Sequence, residues 1–447
     1  MKKVVKIGSG AGFSDDRILP AKDLAERGDI NYLVFECLSE RTVALAQLEK
    51  LHDPLQGYNE YLEDRFEAVL PACSRRGIKI ITSMGAANPP AAGKKIIEIA
   101  QRLNIKGLKV AVVTGDDVTQ LVQNNDDMIL ELDNSISNIT KQIVSANAYI
   151  GSEPVVEALR EGADIVITGR IADPSLFLAP LIYEFNWKTN DWAMLGKGVL
   201  VGHLLECSSQ VSGGYFIDPG VKDVPDPANI GFPIAEVEDD GSFVVTKIPG
   251  TGGQVCRKTC IEQALYEIHD PALYITADCV ADFSQVEFIE EGLDRVRVIG
   301  ASGTAKTDSY KVSVGYVDSY IGEGQISYCG PNALARGELA LDMVRQRLKD
   351  SKLETEEIRF EIIGVNSTLR GASVEQAPEP AEIRIRVAAR TKSLRDARKI
   401  GHEVSALWLN GPAGGGGATK IANEVVAIRS TLVKRSEVKT EINYHEA

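Results

Sequence analysis

The chain has 447 residues, 44% hydrophobic and 25% charged, which supplies cores for two or three domains. Its 49 Lys and Arg against 63 Asp and Glu leave a formal charge of −14, which excludes a global basic footprint for duplex nucleic acid or an anionic membrane. No apolar run approaches spanning length, "MKKVVKIGSG" has no signal-peptide core, and seven irregularly spaced cysteines suit reduced thiols, so the expected setting is the cytoplasm, with neither nucleic acid nor membrane as partner.

In chain order, "KVVKIG", "NYLVFEC", "IKIITS", "KVAVVTG" and "DIVITG" are short β-branched runs that predict buried parallel strands. Between them "PAKDLAERG", "YLEDRFEAVLPACSRRG", "GKKIIEIAQRL" and "SEPVVEALREG" have helical periodicity. The expected fold class is α/β, a parallel-sheet domain of Rossmann-like βα units over residues 1–198, either doubly wound or a partial barrel. In both cases the ligand edge is formed by the loops after the strands. Beyond Val199 the texture turns rich in Gly, Pro and Asp, and "SFVVTKI", "RVRVIGA" and "YKVSVGYV" predict an α+β region over 199–350. A smaller α+β unit over 351–447 follows, with strands in "IRFEIIGV" and "AEIRIRVAAR", a helix over about 394–408 and the run "NGPAGGGG". That run either wraps a phosphate, allows a close helix approach, or forms a lid or subunit contact.

The first loop, "GSGAGFSDDR", has Gly8, Gly10 and Gly12 after a strand, but Phe13 stands where a dinucleotide fingerprint needs its third glycine. Gly10 and Gly12 therefore suit close backbone approach to a substrate, with Asp15 and Asp16 as an acid/base pair and Arg17 as a carboxylate clamp. The alternative is a tight turn with Ser14 or Asp15 as helix cap. Glu36 ends the second strand, and Ser83 and Asn88 lie in the loop after the third. Arg170 and Asp173 follow the fifth, suited either to gripping a carboxylate or phosphate or to a salt-bridged helix start. In "GHLLECSSQVSGGYF" helical spacing puts His203, Glu206 and Cys207 on one face, a histidine base, a carboxylate and a thiol together; the alternative is a satisfied core histidine beside a buried cysteine. Gly250, Thr251, Gly252 and Gly253 separate a strand from a helix and form a candidate anion cradle, without the G-K-[ST] ending of a nucleotide P-loop.

Taken together, "GSGAGFSDDR", "ITGRIADPSLFLAPLI", "GHLLECSSQVSGGYFIDPG", "DVPDPANIGFPIAEVEDDGSF", "GTGGQV…LYEIHDPALYITADCVADF" and "GPAGGGG", in this order, resemble the acyclic terpene utilisation AtuA-like family over nearly the whole chain. The resemblance implies a catabolic protein acting among enzymes that activate, carboxylate, hydrate or cleave branched acyl-CoA or related acids. It also implies a separate small protein subunit, because relatives carry a further small domain or such a partner. The resulting expectation is a lyase or hydro-lyase for a small branched carboxylic acid or acyl-CoA, working by acid/base chemistry in a homo- or hetero-oligomer. A non-catalytic acyl-CoA-binding or scaffolding subunit is the alternative, and a nicotinamide or flavin oxidoreductase the third reading. No cofactor is demanded, while a divalent cation on Asp15, Asp16 and Glu36 stays open.

Overall fold

The computed structural model describes residues 3–125, 128–131, 134–136, 139, 143–368 and 379–447. They form two compact units, one of Met1–Gly315 with Ile428–Ala447, the other of Tyr316–Ala427.

The larger unit opens with β1 (Val4–Ala11), α1 (Leu19–Arg27), β2 (Tyr32–Phe35), α2 (Glu40–His52), α3 (Leu62–Arg76), β3 (Lys79–Thr82), α4 (Pro89–Arg102) and β4 (Lys109–Thr114). There follow α5 (Thr119–Asn124), the two-residue strands β5 (Met128–Ile129) and β6 (Asn134–Ser135), then β7 (Ile143–Ala148), α6 (Glu153–Arg160) and β8 (Ile165–Ile167). Two apolar helices, α7 (Asp173–Phe185) and α8 (Trp192–Leu205), lead into β9 (Pro233–Glu238), β10 (Phe243–Lys247) and α9 (Arg257–Leu265). The remaining strands before the crossing to the second unit are β11 (Tyr274–Ile275), β12 (Val280–Asp282), β13 (Glu287–Gly292), β14 (Arg295–Ile299) and β15 (Ser302–Thr304). The second unit comprises β16 (Ser309–Cys329), α10 (Ala333–Asp350), β17 (Glu357–Ile363), β18 (Glu382–Thr391), α11 (Leu394–Asn410) and β19 (Gly416–Lys434). Of these, β16 begins in the first unit and β19 returns to it, ahead of the last strand, β20 (Glu441–Glu446).

The expected parallel strands are present as β1, β2, β3, β8 and β4, neighbours in that order in an open sheet. Alternate residues feed opposite faces. Val34, Ile81 and Val166 join α6, α7 and α8 in one core, whereas Leu33, Phe35, Ile80, Ile165 and Ile167 join α1, α3 and α4 in the other. Coverage on both faces is why these strands are continuous apolar runs, and it selects the doubly wound arrangement over a barrel. Phe66 and Phe177, both fully buried, each stabilise their layer by roughly 1.5–3 kcal/mol relative to exposure.

The sheet is mixed, however. Beyond β1 it continues through β9, β10, β14 and β13, and beyond β4 through β20, all antiparallel to their neighbours, giving ten strands. The strands read as the start of a separate α+β region therefore pair with the edge of the first βα units. On the β1 face, α8 packs against α7 because Gly202 lies directly on Pro174, where a β-carbon would come within 2.5 Å of the Pro174 Cα.

In the second unit the order β17-β18-β16-β19, with α10 and α11 following their strands, is a split βαβ arrangement. Ile383, Ile385, Val387 and Ala389 of β18 bury one sheet face with the two helices. The alternate residues Arg386 and Arg390 make ion pairs with Glu323, Glu361 and Asp318. Among the described residues no helix is long and apolar enough to cross a membrane.

Candidate functional site

Because β1, β2, β3 and β8 are parallel, the residues that follow them reach one edge of the sheet: Gly12, Glu36, Ser83 and Arg170. This is the edge where open α/β sheets bind ligands. Glu36 is 7% exposed. Its Oε1 accepts from the Leu38 amide at 2.8 Å and from the Ser83 hydroxyl at 3.5 Å, and lies 4.0 Å from Arg170 Nη2. Burial pushes the Glu36 carboxyl up to about 7; Arg170 and the Leu38 amide oppose the rise, and the charge of Glu206 adds to it.

Glu206 arrives from a different part of the chain. It caps α8, and its Oε1 lies 3.0 Å from His203 Nδ1, the pairing that i, i+3 spacing on a helix produces. Burial raises the Glu206 carboxyl, with His203 and Arg170 opposing and Glu267 reinforcing. Cys207 follows, and its backbone lies against that of Gly12. The first-strand loop and the end of α8 are thus in contact, with Glu36, Arg170, His203, Glu206 and Cys207 gathered around the junction. Four buried side-chain atoms in this stretch have no protein hydrogen-bond partner: His203 Nε2, Glu206 Oε2, Ser208 Oγ and Gln263 Oε1. Buried polar atoms in a folded protein are ordinarily satisfied, so such a group marks a place suited to a polar guest.

The imidazole itself is 1% exposed, 5.2 Å from the Tyr274 ring and 5.9 Å from that of Phe283 between centroids. Gln263 Nε2 donates to the His203 carbonyl at 2.9 Å. His203 therefore communicates with the junction through Glu206. The Cys207 thiol is pushed far up by burial and by Glu206, which opposes formation of a nucleophilic thiolate.

Other candidates are placed differently. Arg170 is fully engaged by protein: its guanidinium donates to the Leu38 and Ile171 carbonyls and to Asp173, and it stacks on Tyr149 at 4.6 Å. This corresponds to the salt-bridged helix start, and it leaves Arg170 acting on the site through its charge. Asp16 bonds the amides of Gly12 at 2.9 Å and Arg17 at 2.7 Å; burial raises its carboxyl against the pull of those two amides. Asp15 and Arg17 are exposed at the loop tip. Gly10 meets the Phe35 ring and Gly12 meets Cys207, so the glycines serve contacts within the protein, and the loop is not a pyrophosphate cradle. Asn88 caps α4 and donates to the Pro54 and Gln56 carbonyls. In the turn at 250–253, the amides of Thr251, Gly252 and Gly253 donate to Ile248, Asn229 and Pro225 carbonyls, and that of Arg257 to Glu290. An anion cradle requires free amides, and these are occupied. Among the described residues no three His, Cys, Asp or Glu side chains gather as metal ligands, and Asp15, Asp16 and Glu36 do not form such a set.

Sequence reasoning missed several partners. Arg65, 0% exposed in α3, donates to the Ser14 and Asp16 carbonyls at 2.8 and 3.0 Å and to Cys37 Sγ at 3.3 Å, tying the first loop to the end of β2. Its signal was available: an arginine inside the apolar stripe of Leu62, Phe66 and Val69. Glu40 was missed too. Burial pushes its carboxyl up, but the Tyr149 hydroxyl, its own amide, Lys311 and Arg170 outweigh that and hold it at about 2.

In comparison with known proteins, the family described as acyclic terpene utilisation family protein AtuA matches residues 5–444. No curated protein and no solved structure matches the chain.

Proposed function

The chain belongs to the acyclic terpene utilisation AtuA family, which places it in acyclic terpene catabolism, and from that premise we propose that it is a lyase or hydro-lyase for a small branched carboxylic acid or acyl-CoA. The observation that carries this reading is Glu36, a buried carboxyl raised to about 7 beside a second raised carboxyl, Glu206, at the ligand edge of the sheet.

In the dehydration direction, ionised Glu36 takes the proton from the carbon next to the carboxylate or thioester carbonyl. Its Oε1 is held by Leu38, Ser83 and Arg170, so Oε2 is the atom that reaches substrate. Protonated Glu206 gives its proton to the departing hydroxyl, and the carbon–oxygen bond breaks to leave an alkene and water. His203 positions Glu206 and shares its charge. Arg170, a positioning residue, keeps Glu36 from rising further and supplies positive charge as the enolate develops. The site resets when the proton on Glu36 returns, through solvent, to Glu206.

A second reading, a non-catalytic acyl-CoA-binding subunit, is favoured by one observation: the Arg170 guanidinium nitrogens and the amides of Thr251, Gly252 and Gly253 already have protein acceptors. Deuterium exchange at the α-carbon of candidate branched acids and thioesters in heavy water separates the two. Exchange with wild type that disappears in Glu36→Gln, while the ligand still binds, supports the enzyme. Binding without exchange in both proteins supports the subunit. The separate small subunit and the oligomer belong to the same proposal and are tested by repeating the assay with the partner added.

A further inference from the structure

The second unit contains a basic groove in an otherwise acidic protein. Between α11 and β19, Arg395, Arg398, Lys399, His402 and Lys420 line a volume of about 580 Å³ together with Ile421 and Ala422. The arrangement follows from the sequence. Residues 395, 398, 399 and 402 recur at helical spacing, which puts them along one side of α11. Lys420 is laid across that helix by Gly401, where a β-carbon would come within 2.6 Å of the Lys420 Cβ.

The charges are poorly compensated. Asp396 pairs with Lys399 at 2.7 Å and also feels the charge of Arg395, but among the described residues Arg395, Arg398 and Lys420 form no ion pair within 4 Å. The capped N-terminus of α11, with Ser393 accepting from the Asp396 amide, adds the positive end of a 17-residue helix. Like charges this close repel one another unless an anion sits among them, and guanidinium forks match phosphate oxygens two at a time. Ile421, 53% exposed beside the cations, supplies an apolar wall.

We propose that this groove binds a small ligand carrying at least two phosphate charges beside a heterocyclic or apolar portion, the chemistry of a nucleoside diphosphate. Among the described residues, the sheet face of this unit opposite α10 and α11 carries Arg–Glu and Arg–Asp pairs rather than stacked aromatics, which argues against single-stranded nucleic acid as the occupant. The proposal is independent of the Glu36 site.

The test is calorimetric titration of the full chain with ADP in chelator at low salt. Saturable binding of one ADP per chain is expected, with affinity falling at least about tenfold in Arg395→Glu/Arg398→Glu, the loss of one charge-assisted contact or more. Lys349→Glu/Lys352→Glu, an equal charge reversal at two exposed positions at the end of α10, should leave it unchanged, as should Glu36→Gln. If the arginine double variant fails to fold, as judged by its thermal melt, Lys420→Gln takes its place with a smaller loss expected. Absence of saturable ADP binding overturns the proposal. Equal weakening by Lys349→Glu/Lys352→Glu also overturns it, because the effect would then be one of net charge alone. Tight binding of RNA or anionic vesicles that ADP does not displace overturns it in favour of a macromolecular partner.

Discussion

The backbones of Gly12 and Cys207 touch: a β-carbon at residue 12 would lie 2.5 Å from the Cys207 carbonyl carbon. The obstacle is backbone at the end of α8, which has no rotamer through which to withdraw. Gly12→Ala should therefore push the first loop off the helix end. A loss of about 1–3 kcal/mol in denaturant unfolding is expected, in line with overpacking of a tight contact. Any turnover should fall further than stability alone accounts for, since the same shift separates Glu36 from Glu206.

Glu36 links pH to stability. Its folded-state value, about 7, lies above the ordinary 4.5, so the folded protein binds this proton more tightly than the unfolded chain. The resulting stabilisation is fully present below about 4.5 and is lost as pH rises through about 7. Glu36→Gln removes that penalty. Its unfolding free energy should exceed the wild type's increasingly between those two values and stay higher above them, by on the order of 3 kcal/mol, while α-proton exchange is abolished. A pH-independent difference would mean that the wild-type carboxyl is not raised.

Local pattern made part of this legible. The parallel strands are short apolar runs between amphipathic stretches, and His203 and Glu206 pair because they are three apart on a helix, so both could be read from neighbouring residues. The antiparallel partners of β1 and β4 could not. Val5 meets Val237, and Val113 meets Ile442, and nothing near Val5 or Val113 specifies a partner so far along the chain. The surroundings of His203 escaped for the same reason: Tyr274, in β11, and Phe283, just after β12, lie well downstream. The glycines of the first loop were visible, but whether they approach a ligand or the protein itself depends on Phe35 and Cys207, which only the fold brings to them.

Arg65 is the buried cation that shapes the first loop. Replacing it by Met keeps bulk but leaves the Ser14 and Asp16 carbonyls without their donor. A cost of about 3 kcal/mol is expected from lost charge-assisted bonds and unsatisfied carbonyls. Faster amide exchange over residues 12–17 than over β2 would locate the damage in the loop. Arg65→Lys, with one ammonium for a fork that reaches both the loop and Cys37, should recover only part of it.

His203 tests whether the pair at the end of α8 positions a proton or only packs. Its ring contributes area between Tyr274 and Phe283, and its Nδ1 faces Glu206. His203→Phe preserves the packing and removes the partner of a buried carboxyl. Glu206 then loses the interaction that most opposes its rise, so its carboxyl should titrate at higher pH than in wild type. If Glu206 is the acid that protonates the leaving hydroxyl, a weaker acid lowers kcat and moves the alkaline limb of the kcat profile upward, with KM little changed. His203→Gln retains a hydrogen-bonding side chain next to Glu206 and should restore part of the rate. A purely structural histidine predicts the opposite ranking, with Phe tolerated better than Gln and no movement of the alkaline limb in either variant.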